Sequence, residues 1–245
     1  MILRDTASSD VGRVRSVNQD RFARAPDLGC YLVADGMGGH QGGEKASQLA
    51  VEAVLDALRS SHSAKQSLSE RLRYALAWAN RRIFETACAH AECAGMGTTI
   101  VALLIDGGRA ALAHVGDSRA YLIRDGGIRQ LTRDHSIVGE LLRRQQISEQ
   151  AARAHPHRHV LTRALGVRPS VEPDLLELAL CSGDVFALCT DGLTGYLQEG
   201  EIAEFFADGS DLEEVCKSMI EAANSRGGED NITAVLVRYE TPGER

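Results

Sequence analysis

Apolar positions along this chain recur in two rhythms, and each rhythm predicts a kind of element. From Glu44 to Arg59, Ala46, Leu49, Ala50, Ala53, Val54, Ala57 and Leu58 return at spacings of three and four, the stripe of a helix with one buried face. From Leu68 to about Ala89, Leu72, Ala75, Leu76, Ala79 and Ile83 repeat the pattern. Between these helices, Ser60 to Ser67 is polar and aperiodic. Leu212, Val215, Cys216, Met219, Ile220 and Ala223 mark a third amphipathic helix. Short apolar runs read instead as strands: Cys30–Asp35, Thr98–Ile105, Ala110–Val115, Arg119–Arg124, Leu175–Leu180, Asp184–Thr190 and Ile232–Val237.

The punctuation between strands predicts their connections. Asp106-Gly-Gly108 and Gly116-Asp-Ser118 read as hairpin turns. From Gly139 to Arg168 the rhythm fades. Arg143, Arg144, Arg153, Arg158, Arg163 and Arg168 face only Glu140 and Glu149, and Pro156 interrupts, so this stretch reads as helical fragments and surface loop. Helices set between blocks of antiparallel strands predict an α+β fold of layered sheets and helices. No Pro/Gly/Ser linker and no repeat divides the chain, so residues 1–245 read as one domain.

Composition narrows the functional classes. With 44% hydrophobic and 25% charged residues the chain has the balance of a globular protein, and its net charge of −7 argues against nucleic acid as its main partner. No stretch approaches the roughly 20 apolar residues that span a bilayer, and Met1 to Gly12 has no apolar segment of the kind that directs secretion. The six cysteines (30, 88, 93, 181, 189, 216) show no paired metal-ligand spacing and read as reduced thiols of a cytoplasmic protein. None has an Arg six residues downstream, and there is no GxxxxGK[ST] loop and no HExxH.

What stands out is a set of short acidic segments: Asn18-Gln-Asp20, Asp35-Gly-Met-Gly-Gly39, Thr190-Asp-Gly192 and Glu229-Asp-Asn231. One Asp-Gly is a turn. Several, at strand ends and without His/Cys partners, point to an all-oxygen site for Mg²⁺ or Mn²⁺. Two such ions form a common apparatus for hydrolysing phosphate esters. His155, His157 and His159 alternate around Pro156, but with no nearby Cys or second cluster they do not read as a zinc site.

In order along the chain, Arg15-x-x-Asn18-Gln-Asp20, Asp35-Gly-Met-Gly-Gly-His40, Gly95-Met-Gly-Thr-Thr99, Gly116-Asp-Ser-Arg-Ala-Tyr121, Leu161-Thr-Arg-Ala-Leu-Gly166, Thr190-Asp-Gly-Leu193 and Asp230-Asn231 resemble the metal-dependent Ser/Thr protein phosphatases of type 2C, in their compact bacterial form. The resemblance runs from about Asp5 to Tyr239. It implies a four-layer α-β-β-α sandwich, two packed antiparallel sheets flanked by helix pairs. It also implies hydrolysis of phosphoserine and phosphothreonine by direct attack of a metal-bridging hydroxide.

The resemblance further implies residue roles. Asp35 would bridge two Mn²⁺ or Mg²⁺ ions, with the Gly36 carbonyl on one of them. Asp191 and Asp230 would hold the first ion, Asp20 would support the second, and Asp117 would share a third, weaker one with Asp191. Arg15 would bind the substrate phosphate, bidentately and without losing its charge. Relatives often carry Glu where Gln19 stands, which predicts weaker binding at the second ion. Animal members have a proposed acid His where Met37 stands, and His40, the nearest imidazole in sequence, is the candidate proton donor. The stretch 139–168 would form a flap beside the site, its arginines attracting acidic or phosphorylated segments. The expected partners are phosphorylated proteins made by a bacterial Ser/Thr kinase, with no nucleic acid and no membrane, and the expected state is a monomer. The alternatives are a phosphatase-like binding module without catalysis and a hydrolase of small phosphorylated metabolites.

Overall fold

Strands that are apolar at every position need cover on both faces, and the fold supplies it in four layers. The computed structural model describes residues 1–60, 66–206 and 211–241, with the side chains of residues 40 and 41 left out. Its strands are β1 (Ile2–Asp10), β2 (Asp20–Ala25), β3 (Cys30–Met37), β4 (Gly97–Thr98), β5 (Ile100–Asp106), β6 (Arg109–Val115), β7 (Arg119–Arg124), β8 (Gly127–Gln130), β9 (Asp174–Ala179), β10 (Val185–Cys189) and β11 (Ile232–Glu240). Its helices are α1 (Gly39–Ser60), α2 (Leu68–Ala89), α3 (Ile137–Arg143), α4 (Glu149–Arg153), α5 (Asp191–Thr194), α6 (Glu199–Glu204) and α7 (Leu212–Ser225).

One sheet has the order β1-β11-β10-β7-β8; the other has β2-β3-β5-β6-β9, with β4 paired to the end of β3. Every strand pairing among the described residues is antiparallel. Side-chain alternation then sorts each central strand into two cores. In β3, Tyr31 and Val33 join Phe186, Leu188, Val235 and Val237 between the sheets, while Cys30, Leu32 and Ala34 pack against α1 and α2. In β11, Val235 and Val237 face the other sheet, while Ala234 and Leu236 meet Val215, Met219 and Ala223 of α7. The α1/α2 flank is a helix pair; among the described residues the opposite flank is one long helix, α7, with the short α5 and α6 beside it.

The three expected helices form, and so do strands at each expected run, with adjustments. Helix α1 starts at Gly39 rather than Glu44, because its opening turn, Gly39-His-Gln-Gly-Gly43, lacks the apolar spacing by which a helix is read. Helix α2 starts at a capping box, in which the Ser67 hydroxyl takes the Glu70 N–H and the Glu70 carboxylate takes the Ser67 N–H. The turn 106–108 does close a hairpin, β5–β6. The turn 116–118 does not: β6 and β7 lie in different sheets, so Gly116-Asp-Ser118 is a crossover between them. Gly116, at φ 109°, makes the bend, and a Cβ there would sit 2.6 Å from Thr99 Cβ. Cys181 is exposed, whereas Cys30, Cys189 and Cys216 are buried; all six cysteines are free.

Phe186 is fully buried at the centre of the inter-sheet core. Phe186→Ala is expected to destabilise the chain by about 3–5 kcal/mol in urea titration. A loss below about 1 kcal/mol would mean that the two sheets are not held together by this layer.

Candidate metal centre

The two sheets end together over a cavity of about 840 Å³, and each supplies carboxylates to its wall. Asp35 comes from β3, Asp117 from the crossover, Asp191 from the first turn of α5 and Asp230 from the loop before β11; all four line it, with Gly36, Gln19 and Arg15. Asp20 does not. It stands opposite Asp35 in the β2–β3 register, but its side chain is buried behind the cavity. There its Oδ2 accepts hydrogen bonds from the hydroxyls of Thr190 (2.8 Å) and Thr233 (2.7 Å), which belong to the other sheet.

The backbone around these groups is fixed tightly. The Asp35 N–H donates to Thr99 Oγ1 (3.0 Å), and its carbonyl accepts from the Thr99 N–H (2.8 Å) and the Thr98 hydroxyl (2.8 Å). At Gly36 a Cβ would lie 2.0 Å from the Gly43 carbonyl oxygen. The residue is therefore glycine because the start of α1 crosses it, a constraint beyond any approach to an ion. Gly192 meets the Asn231 carbonyl in the same way, at 2.0 Å. Asn231 ties the N-terminal loop to this end of the sheets: its Oδ1 accepts the Gln19 N–H (2.8 Å), and its Nδ2 donates to the carbonyls of Val11 (2.9 Å) and Val17 (3.0 Å).

Gathering carboxylates in a partly dry cleft raises their affinity for protons. Burial first, then Asp20, Asp191, Asp117 and Asp230, hold the Asp35 carboxyl well above the usual range. Asp117 is raised by burial, then by Asp191 and Asp134, although its own N–H bonds its carboxylate. Asp20 is pushed up to about 7 by burial against the opposing pull of its two hydroxyl donors, with Asp191 and Asp230 adding to the rise. Arg15 Nη2, 2.9 Å from Asp230 Oδ2, offsets part of the charge; His159 Nδ1 lies 3.8 Å from Asp191 Oδ2, a contact that raises the proton affinity of its imidazole.

Two buried carboxylate oxygens, Asp20 Oδ1 and Asp191 Oδ1, have no hydrogen-bond partner among the described residues. Orphaned anionic oxygens in an all-oxygen pocket are the donor set of a hard divalent cation, so the residues present fit Mg²⁺ or Mn²⁺. Asp35, Asp191 and Asp230 share one wall without closing into a tight trio among the described residues, as repelling groups with room between them should. Gln19 lines the cavity and its Nε2 donates to the Gly39 carbonyl (2.8 Å).

His40 falls in the first turn of α1, and its side chain is outside the described residues, while Met37 lines the cavity. His155 and His157 sit with rings 5.7 Å apart, and with His159 they form no metal-binding group among the described residues. Sequence reasoning missed His159 as a cavity residue and Asn231 as the loop anchor. The fold brings the segment 155–161 back over the pocket, so that Arg158, His159 and Leu161 line it.

Because Asp20 binds its proton more tightly in the folded chain, its contribution to stability is full below about pH 4 and is lost as pH rises through about 7. The chelator-treated protein is therefore expected to lose about 5–10 °C of melting temperature between pH 5 and pH 8, and added Mn²⁺ should recover more at pH 8 than at pH 5. A melting temperature that rises with pH in chelator would refute the buried acidic cluster.

Comparison with known proteins agrees with this architecture. The chain is 40% identical over 237 residues to the serine/threonine phosphatase stp of Listeria monocytogenes, covering 95% of this chain and 94% of that one. It superposes on the crystal structure of the Mycobacterium tuberculosis serine/threonine phosphatase PstP/Ppp with a TM-score of 0.90 at 36% identity, over 98% of this chain and 100% of that one. A structure of the PstP catalytic domain in complex with two manganese ions matches at a TM-score of 0.88 and 34% identity, over 98% and 99% of the two chains. The family model for protein phosphatase 2C matches residues 12–237, and with these likenesses it shows that the chain belongs to that family.

Proposed function

We propose that this protein removes phosphate from phosphoserine and phosphothreonine in other proteins, with Mn²⁺ or Mg²⁺ as its cofactor. The observation that carries the reading is the ring of Asp35, Asp117, Asp191 and Asp230 around one cavity with Arg15 at its rim, in a chain of this family. The two manganese ions bound by a neighbour that shares the fold support the choice of cofactor.

Asp35 would bridge two ions with the Gly36 carbonyl beside it. Asp191 and Asp230 would hold the first, and Asp20, through its uncommitted Oδ1, would support the second from behind. Asp117 would share a weaker third with Asp191. When bound, such ions neutralise phosphoryl oxygens and acidify a water to a nucleophile near neutral pH. The protein's own side chains do the rest. Arg15 is half-exposed and, among the described residues, is held by Asp230, so its guanidinium can turn to take two phosphoryl oxygens. Arg158 at the rim adds positive charge for a phosphorylated segment. His40, at the start of α1, remains the proposed donor of a proton to the leaving alkoxide.

The single-domain organisation with residues 139–168 as a flap belongs to the same reading. So do substrates made by a bacterial Ser/Thr kinase, a signalling role, a cytoplasmic location and a monomeric state. No helix among the described residues is long and apolar enough to cross a membrane.

Asp191→Asn is expected to lower Mn²⁺-dependent hydrolysis of p-nitrophenyl phosphate at least about 100-fold with the fold intact by circular dichroism. Wild-type protein with no such activity would instead support a binding module. Turnover of phosphothreonine peptides should exceed that of sugar phosphates and nucleotides; the reverse order would make small metabolites the substrates. Arg15→Ala should raise KM for phosphopeptides about tenfold or more, by loss of a charge-assisted contact to phosphate. An unchanged KM would remove Arg15 from substrate binding.

A further inference from the structure

Beside the metal centre lies a second polar cluster to which the chemistry above gives no role: the buried imidazoles of His114 in β6 and His135 in the loop after β8, with the half-buried carboxylate of Asp174 in β9. Their ligand-type atoms lie within 4.8 Å of one another, which on distance alone would suit a metal. The ring geometry argues otherwise. The imidazoles of His114 and His135 are stacked, with centroids 4.7 Å apart and planes 13° from parallel. An ion bound by a ring nitrogen lies close to that ring's plane, so no one ion can serve two stacked rings.

The hydrogen bonds say what the cluster does instead. His135 grips Gly116 from both sides: its backbone N–H donates to the Gly116 carbonyl (2.9 Å), and its ring Nδ1 accepts the Gly116 N–H (3.2 Å). A ring that accepts at Nδ1 carries its proton at Nε2, and Nε2 faces Asp174 Oδ2 at 3.4 Å. Asp174 is held in turn by Arg163 (2.7 Å), and the His135 carbonyl accepts the Thr162 N–H (2.8 Å). The next residue, Ser136, pairs with Leu161, which lines the cavity. Burial, followed by His114 and Arg163, pushes the His135 ring down to about 4, so it is neutral at the pH of the cell.

We infer that His135 is a positioning residue that fixes the Gly116–Asp117 crossover and fastens it to the C-terminal root of the 139–168 segment. Gly116 is the bend that turns the chain from one sheet to the other, and Asp117 follows it directly. Without these two bonds, the peptide planes on either side of the Gly116 Cα could rotate about it and carry the Asp117 carboxylate off the cavity wall. On its far side the crossover is held by Ser118, whose hydroxyl lies 2.7 Å from Thr99 Oγ1, the same hydroxyl that takes the Asp35 N–H. His135 and Thr99 thus brace the crossover from opposite sides. Through Thr162 and Arg163, His135 also ties the position of Asp117 to that of the segment above it.

This inference rests on the reading of Asp117 as a ligand of the weaker ion, and the test separates the two. Asn places an oxygen near the position of imidazole Nδ1 and keeps the acceptor for Gly116; Gln places a nitrogen near Nε2 and keeps only the Asp174 side. In Mn²⁺ titration calorimetry, H135Q should weaken the weakest binding step at least about tenfold and leave the tighter steps in place, whereas H135N should stay within about twofold of wild type. Equal behaviour of H135N and H135Q, or a uniform weakening of all steps, overturns the inference. The control is Asp117→Asn. If it leaves every step unchanged, the ligand reading fails and the inference falls with it; if it removes the weak step while H135Q does not, the inference alone falls. Should H135Q fail to fold, long-range ¹H–¹⁵N NMR of the wild-type protein decides. A neutral His135 protonated at Nε2 at pH 7 is the expected signature, and an Nδ1–H tautomer or an imidazolium overturns the clamp.

Discussion

Everything in this molecule is arranged around the cost of holding several carboxylates in one cleft. Burial raises the proton affinity of Asp35 and Asp117, and their acidic neighbours raise it further. Such a cluster would push itself apart on a soft scaffold. Here three members are held by the backbone around them: Asp35 by Thr98 and Thr99, Asp191 through Gly192 packed against Asn231, and Asp117 through the hydrogen-bonded Gly116 before it. The four-layer body explains the rigidity. Three separate apolar cores press the two sheets and their helices together, so the strand ends at the cleft have little freedom to relax.

Asp20 shows how closely the two sheets are joined beneath the cleft. It belongs to β2 in one sheet, yet its bonds go to Thr190 and Thr233 at the ends of β10 and β11 in the other. A buried carboxylate spanning two sheets costs desolvation, and two hydroxyl donors offset part of it. Its remaining oxygen has no hydrogen-bond partner among the described residues. The protein therefore keeps an acidic group where an apolar one would pack more cheaply, as expected of a site that a cation completes.

Much of this was legible in the sequence, for identifiable reasons. Strands such as β3 and β10 are covered on both faces and so appear as unbroken apolar runs. Strands β1 and β2 are half-exposed edges, and their polar and charged residues conceal them. The β7–β8 hairpin was signalled by Asp125-Gly126, both at positive φ, but the strand after it is too short to read with certainty. The crossover at Gly116 looked like a hairpin because turn residues set a change of direction, not the sheet that receives the next strand. The acidic segments were visible because several of them recur near strand ends with no His or Cys partner, where one alone would be a turn. The places of His135, His159 and Asn231 were not, since each acts through contacts with residues far off in sequence.

The path of the chain through the first sheet has a consequence for synthesis. Strand β11 sits between β1 and β10, so the opening strand of the domain has its neighbour only when the segment Ile232–Glu240 has been made. Until then β1 lacks its ladder partner on the growing polypeptide, and the cleft lacks Asp230 and Asn231. On the ribosome, therefore, the cleft gains its full set of carboxylates only after this segment has emerged and β11 has paired between β1 and β10.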